Sequence, residues 1–599
     1  MDRSKLVVFD VECYRNYFLI MFRKVDTGQI IYHEKFKDSA LNIVSIIKLI
    51  KKYTVISFNG YSYDFPVIEA AINGMSNKGL YEVSKFIIEG NHQPWETRKQ
   101  FGFKSILADH IDLINVAPLK ASLKIYGGRL NCPKMQDLPI DPHATIMESQ
   151  LEPMRTYCSN DLELTQILLE NLEKAIDLRS AMSKEYETDV RSKSDAQIAE
   201  AVIKHELRKH GIEAKRPKIK AGTEYTYIPP SNLVFNTDIM NEVFQLYKDH
   251  KFIVQSNGHI SLPDALKNKK IQIGKTIYKI GVGGLHSIEK STRHESSDKI
   301  ILRDYDVASY YPSIILNNRL FPKHLGSNFL KTYKQIVDRR LKAKHNGDKS
   351  TADSLKITIN GSFGKFASKW SCLYSPNLMM QVTVTGQLSL LMLIERLELE
   401  GIDVVSANTD GIVIKTHIDN EFDLDDIIDQ WQADTEYVLE STDYKSLNSR
   451  DINNYIAIKT DGKAKGKGEF AGGGLFKNPD RPICTTAVND FLSKDITIEE
   501  TVNGCTDITK FLVVRTVNGG ALKDGELIGK AIRWYYGKYE LDAIYYNKLN
   551  KAGNHNKVAK SDNGVPIMEL PKELPDDIDH QWYIDQSYKM LKSLGYVQK

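Results

Sequence analysis

Asp304 and Asp306 stand two residues apart in the run Ile300-Ile301-Leu302-Arg303-Asp304-Tyr305-Asp306-Val307-Ala308-Ser309-Tyr310-Tyr311-Pro312. An extended strand points residues i and i+2 to one face, so both carboxylates share a side. Pro312 breaks regular structure before a new apolar run begins. Carboxylates at a strand end, beside small residues and an aromatic, suit a divalent metal that handles phosphates. A second acidic tip completes such a site. Residues 404–414 read as two apolar strands flanking Asn408-Thr409-Asp410-Gly411, a hairpin signal.

Further carboxylates gather near the N-terminus. In Leu6-Val7-Val8-Phe9-Asp10-Val11-Glu12, Asp10 and Glu12 share a strand face. In Asn59-Gly60-Tyr61-Ser62-Tyr63-Asp64-Phe65-Pro66 a strand ends in a loop, and Asp64 stands where a helix begins. Tyr157 and Asp161 lie i, i+4 on one helical face. Singly these are ordinary surface features. Together they form four carboxylates and a tyrosine in one α/β unit, the set that two divalent ions about 4 Å apart need to hold a phosphodiester and a water.

The elements that must carry these groups follow from periodicity. Residues 111–116 read as another sheet strand, and residues 179–211 as helical. Gly281-Val282-Gly283-Gly284 is a turn in which backbone can approach a ligand closely. Residues 328–344 form a basic helix with Arg339, Arg340, Lys342 and Lys344, followed by a polar turn. A second helix over 351–367 places Lys356, Asn360 and Phe363 on one face, which would present charge to a triphosphate. Tyr455 precedes a Gly/Lys loop, Gly462 to Gly468, suited to a phosphate backbone and including Lys467.

Composition narrows the class. The 599 residues exceed one core and predict roughly three to five domains. Hydrophobic content of 42% and charged content of 26% are those of a globular protein. A net charge of +3 means that any polyanion groove must come from local placement of cations. The six cysteines are scattered without C-x-x-C spacing, which predicts reduced thiols in a cytosol and no zinc or iron–sulfur site. The opening residues run straight into a strand and no apolar run of bilayer length is read, so a cytoplasmic chain without a signal peptide or membrane span is expected.

The order Asp-x-Glu, Asn-x-x-x-Tyr-Asp, Tyr-x-x-x-Asp resembles the three motifs of proofreading 3′–5′ exonucleases. By that resemblance Asp10, Glu12, Asp64 and Asp161 hold metals, Tyr157 orients the attacking water, and Asn59 helps hold the 3′ end. The 306–311 stretch, Lys356-x-x-x-Asn360-Gly-Ser-Phe363-Gly and Asn408-Thr409-Asp410 resemble, in order, the three polymerase motifs of family B DNA polymerases. Over about residues 5–470 the chain resembles a compact, bacteriophage-type family B DNA polymerase with proofreading. The resemblance implies an α/β and α+β multidomain chain: an RNase H-like exonuclease domain (1–190), a connecting region (191–326), fingers (327–370), a palm (296–326 and 371–470) and a thumb (471–599). It implies two Mg²⁺ per site, with Mn²⁺ as a substitute. It further implies a primed DNA template and deoxynucleoside triphosphates, with primase, helicase and single-strand-binding protein as replication partners. Asp306 and Asp410 would bind the metals, Tyr311 would exclude a 2′-hydroxyl, Arg340, Lys356 and Asn360 would grip the triphosphate, and Phe363 would pack on the nascent pair. Gly283, Gly284, Tyr455 and Lys467 would contact DNA.

Four positions depart from the family pattern. Asn408 replaces the first aspartate of the third motif, with Asp304 as the nearby candidate to restore the charge. Phe363 replaces a tyrosine, Gly281 stands where a tyrosine precedes the two glycines, and Asn453 replaces a lysine two positions before Tyr455. The short run from Asp306 to Lys356 leaves no room for both insertions of polymerases primed by a terminal protein, so an ordinary primer, with helicase help in strand displacement, is expected. The alternative is a 3′–5′ exonuclease whose polymerase half is a degenerate DNA-binding module, and Asn408 is its support.

Overall fold

The computed structural model describes residues 1–267 and 269–597. Contacts divide the chain into two units. The first comprises residues 1–194, 473–483 and 505–582, and the second comprises 195–472, 484–504 and 583–597 among the described residues.

The first unit is built on a five-stranded sheet in the order Ile30–Phe36, Tyr17–Lys24, Leu6–Tyr14, Thr54–Ser57, His110–Asp112. The first three strands are antiparallel, and the last two run parallel to Leu6–Tyr14. Alternation along the central strand buries both faces. Val7, Phe9 and Val11 join one core with Phe65 and Ile68, while Leu6 and Val8 join another with Cys158 and Leu162. Asp10 and Glu12 share the parity of Leu6 and Val8, so they face the 35-residue helix Leu151–Glu185. The strand expected over 111–116 stops at Asp112, whose carboxylate accepts the Ile114 N–H and turns the chain into a 3₁₀ segment. The helix expected over 179–211 is likewise two helices, one ending at Glu185 and one spanning Asp195–Lys209.

Within the stretch expected as a thumb (471–599), residues 473–483 and 505–582 fall in the first unit and 484–504 and 583–597 in the second. A second five-stranded sheet, with the long hairpin Val513–Lys523 and Glu526–Tyr536 at its centre, belongs to the first unit. The cause is apolar: Val514 and Ala531 pack with Ile125, Cys132, Met135 and Leu164. Arg533 is fully buried and donates to the carbonyls of Cys132 (2.8 Å), Pro133 (3.3 Å), Ile567 (2.8 Å) and Met568 (3.1 Å). The run Arg533-Trp534-Tyr535-Tyr536 is therefore core.

The second unit centres on a ten-stranded sheet. Ile300–Val307 lies between Gly411–His417 and Leu439–Asp451, antiparallel to both. Beyond Gly411–His417 follow Asp403–Asn408, Leu285–Ser287 and Thr276–Ile280, and beyond Leu439–Asp451 follow Asn454–Lys459 and Ala464–Lys467. The Gly/Lys segment expected as a loop is thus partly an edge strand. Against the expectation of no apolar run of bilayer length, helix Pro376–Leu399 is long and apolar enough to cross a bilayer. Of its most apolar window 89% is buried, and Ser389 O accepts the Trp431 indole N–H at 2.9 Å. Asn328–His345 and Lys349–Phe366 form the expected pair of adjacent helices.

Candidate functional site

In the first unit, local geometry delivers four carboxylates. Asp10 and Glu12 come from the central strand. Asp64 opens helix Asp64–Ile72 and is buried. The loop before it turns through Asn59, at φ 67°, and is held by the buried Asp112, which accepts the N–H groups of Asn59 (2.7 Å) and Tyr61 (3.0 Å). Gly60 is needed there, because a Cβ would lie 2.1 Å from Ser57 Oγ. One turn apart on the long helix, Tyr157 and Asp161 point at Lys124, which pairs with Asp161 and lies 4.4 Å from the Tyr157 ring centroid.

The electrostatics describe a cluster short of positive charge. Burial raises Asp10 to about 6, and burial with the neighbouring Asp10 charge holds Glu12 and Asp64 well above the usual carboxylate range. Burial lowers Lys124 to about 8 against the pull of Asp10 and Glu12. Ligand atoms of Asp10, Glu12 and Cys158 lie within 4.8 Å of one another, but burial pushes the Cys158 thiol well up and keeps it a neutral donor. Hard oxygen ligands around repelling, desolvated charges fit Mg²⁺ or Mn²⁺. Lys124 and Asp112 are not singled out by the sequence. The signal for Asp112 is an aspartate ending a strand; Lys124 carries none beyond its place in a helix capped by Ser122.

In the second unit, Asp306 pairs across the sheet with Gly411, and the turn Thr409-Asp410 joins Asp403–Asn408 to Gly411–His417. Thr409 adopts φ 58°, and the Asp410 carbonyl accepts the Val307 N–H at 2.8 Å, which fixes the tip against the strand carrying Asp306. Gly411 leaves room for the Asp306 carboxylate, because a Cβ would lie 2.2 Å from its Oδ1. Asp304, Asp306, Asp410, Tyr455, Lys465 and Lys467 line one cleft of about 390 Å³. Burial and the Asp304 charge raise Asp306 to about 6, and burial also raises Asp410.

Asn408 also lines this cleft, and its side chain is hydrogen-bonded within the protein: its amide donates to Ile452 O (3.3 Å) and its oxygen accepts from Thr409 Oγ1 (3.2 Å). Asp304 is buried and engaged with Lys465 Nζ at 3.1 Å and with the Tyr444 hydroxyl. Neither partner is singled out by the sequence, although Lys463, Lys465 and Lys467 alternate as a strand face would.

The expected nucleotide-side residues lie on three helices of the same unit, Tyr310–Asn317, Asn328–His345 and Lys349–Phe366. Tyr311 stacks on Phe363 with ring centroids 4.2 Å apart, and its hydroxyl donates to Gly283 O at 2.7 Å. Gly284 packs against Thr409, and Gln387 brackets Gly281 by accepting its N–H (3.2 Å) and donating to its carbonyl (2.9 Å). Arg340 donates to Ser309 Oγ at 3.3 Å. Lys356 and Asn360 are exposed on the helix that carries Phe363. Tyr455 pairs with Lys467, whose ammonium lies 5.8 Å from its ring centroid.

The structure is similar to that of the family B DNA polymerase from the hyperthermophilic archaeon Pyrobaculum calidifontis. The TM-score is 0.41 and the identity 12%, over 99% of this chain and 78% of that one. No family model matches the chain, and neither does any curated protein.

Proposed function

We propose that the chain is a template-directed DNA polymerase that extends a primer 3′ end and edits it with a 3′–5′ exonuclease. The observation that carries the reading is the junction in the second unit. The strand bearing Asp306, the tip bearing Asp410 and the stacked Tyr311–Phe363 pair meet through the Gly281–Gly284 turn. A binding module needs no such convergence of acid and aromatic groups, since uncompensated carboxylates repel phosphates.

Asp306 and Asp410 would hold the metals of extension, and Asp10, Glu12, Asp64 and Asp161 those of editing. Ions held there would lower the pKa of a hydroxyl or water and neutralise charge on the phosphate. The chain's own groups do the rest. The Tyr311 ring, fixed by Phe363 and Gly283, walls the sugar pocket against a 2′-hydroxyl. Arg340 and Lys356 neutralise the triphosphate as it lands. In the first unit the Tyr157 hydroxyl, which burial keeps protonated, accepts from and orients a water. Lys124 balances Asp161 beside it.

An end-labelled primer–template with Mg²⁺, with and without deoxynucleotides, tests the reading. Extension with nucleotides and shortening without them are expected, with Asp410→Ala abolishing the first and Asp10→Ala the second. Shortening under both conditions would leave only the nuclease reading, with Asn408 as the suspect.

A further inference from the structure

Lys465 stands beside the carboxylate that a cation must reach. Its ammonium is 3.1 Å from Asp304 Oδ2 and 3.9 Å from Asp306 Oδ2, and it donates to the Tyr444 hydroxyl at 3.2 Å. Tyr444 in turn donates to Asp304. Three groups from three strands thus close a small network: Asp304 on Ile300–Val307, Tyr444 on Leu439–Asp451 and Lys465 on Ala464–Lys467. Asp304 is buried, whereas Asp306 is exposed to the cleft.

An ammonium this close to Asp306 is a rival of any divalent ion for the same oxygen. We propose that Asp304 and Tyr444 form an anchor that holds Lys465 back from Asp306 and so keeps that carboxylate free for a divalent cation. The inference rests on the reading of this cleft as the extension site. It assigns Asp304 a different task from replacing the charge absent at Asn408: its carboxylate is spent on Lys465 and is not a metal ligand. Asp304 and Tyr444 are positioning residues that act through Lys465.

Tyr444→Phe is the discriminating change, because it loosens the anchor without altering any charge. A lysine displaced by about 1 Å towards Asp306 at an effective dielectric of about 20 strengthens that pair by roughly tenfold. Mn²⁺ binding to the full-length protein, followed by electron paramagnetic resonance without DNA, reads the competition directly. Asp10→Asn/Glu12→Gln serves as the parent, so that the first unit's cluster is weakened. Tyr444→Phe should weaken Mn²⁺ binding about fivefold to tenfold, and the effect should vanish when Lys465→Met is also present. Unchanged binding in Tyr444→Phe, or a weakening that persists with Lys465→Met, overturns the inference while the metal site stands. Mn²⁺ binding that is indifferent to Asp306→Asn overturns the extension-site reading and this inference together.

Discussion

Asp10→Asn should make the cation-free protein more stable at neutral pH while abolishing the primer shortening proposed for the first unit. Burial raises the Asp10 carboxyl from 3.8 to about 6. A shift of about two units corresponds to roughly 3 kcal/mol between the two protonation states. The folded value lies above the unfolded one, so this group's contribution is fully favourable below pH 4 and is lost as the pH rises through about 6. Asparagine keeps the shape and carries no charge, so it escapes that loss. In chelator, hydrogen exchange of the strand Leu6–Tyr14 should show the variant more stable by about 2–3 kcal/mol at pH 7.5, with the difference shrinking to a few tenths near pH 4. Added Mg²⁺ should stabilise the parent at pH 7.5 and close most of the gap. Equal protection of parent and variant at pH 7.5 in chelator would refute the argument that the cluster is strained for want of a cation.

The other consequences are shorter to state. Gly411→Ala puts a Cβ 2.2 Å from Asp306 Oδ1, so single-turnover extension should fall about 100-fold with shortening intact; equal losses of both would point to misfolding. Tyr311→Val removes the ring stacked on Phe363 and the bond to Gly283, so competition assays should show ribonucleotide incorporation rising at least about tenfold relative to deoxynucleotide, and an unchanged ratio would exclude Tyr311 as the sugar wall. Arg533→Met strands four buried carbonyls and should cost about 3 kcal/mol or more, read as early proteolysis of residues 513–536. In a Mg²⁺ titration on primer–template, shortening should reach half-maximum at a lower concentration than extension.

The carboxylates were legible in the sequence because strand periodicity is strict. The i, i+2 spacing of Asp10/Glu12 and the hairpin chemistry of Asn408-Thr409-Asp410-Gly411 constrain direction without any knowledge of partners. The structure carries Asp10 and Glu12 on one strand and closes the hairpin at a two-residue turn. What escaped were the groups that answer these acids. Lys124 meets Asp161 across 37 positions, and Lys465 meets Asp304 across 161, so no local pattern links either pair. The 513–536 hairpin lies in the stretch that the resemblance implies as a thumb, and no local pattern says what its apolar residues pack on. Its partners, Ile125 and Met135, lie several hundred residues earlier. In helix Pro376–Leu399, Gln381, Thr383, Thr385, Gln387 and Ser389 break up the apolar run in the sequence, yet all five are buried.

The two clusters differ in how much of their charge the protein itself balances, and this sets the order in which they should take up a cation. The first unit sets four carboxylates, Asp10, Glu12, Asp64 and Asp161, against one ammonium, and that ammonium is tied to Asp161. The remaining three are desolvated, and the Asp10 charge further raises Glu12 and Asp64. The second unit sets Asp304, Asp306 and Asp410 against Lys465 and Lys467 in one cleft, and Asn408 adds no charge. Burial lowers Lys467, and the Asp410 charge is the largest influence opposing that loss of charge. The first unit's cluster therefore exerts the stronger pull on a divalent ion. The second unit's cleft, already part-neutralised and open to solvent at Asp306, should, on the proposed function, fill fully only when a nucleoside triphosphate brings additional negative charge with it.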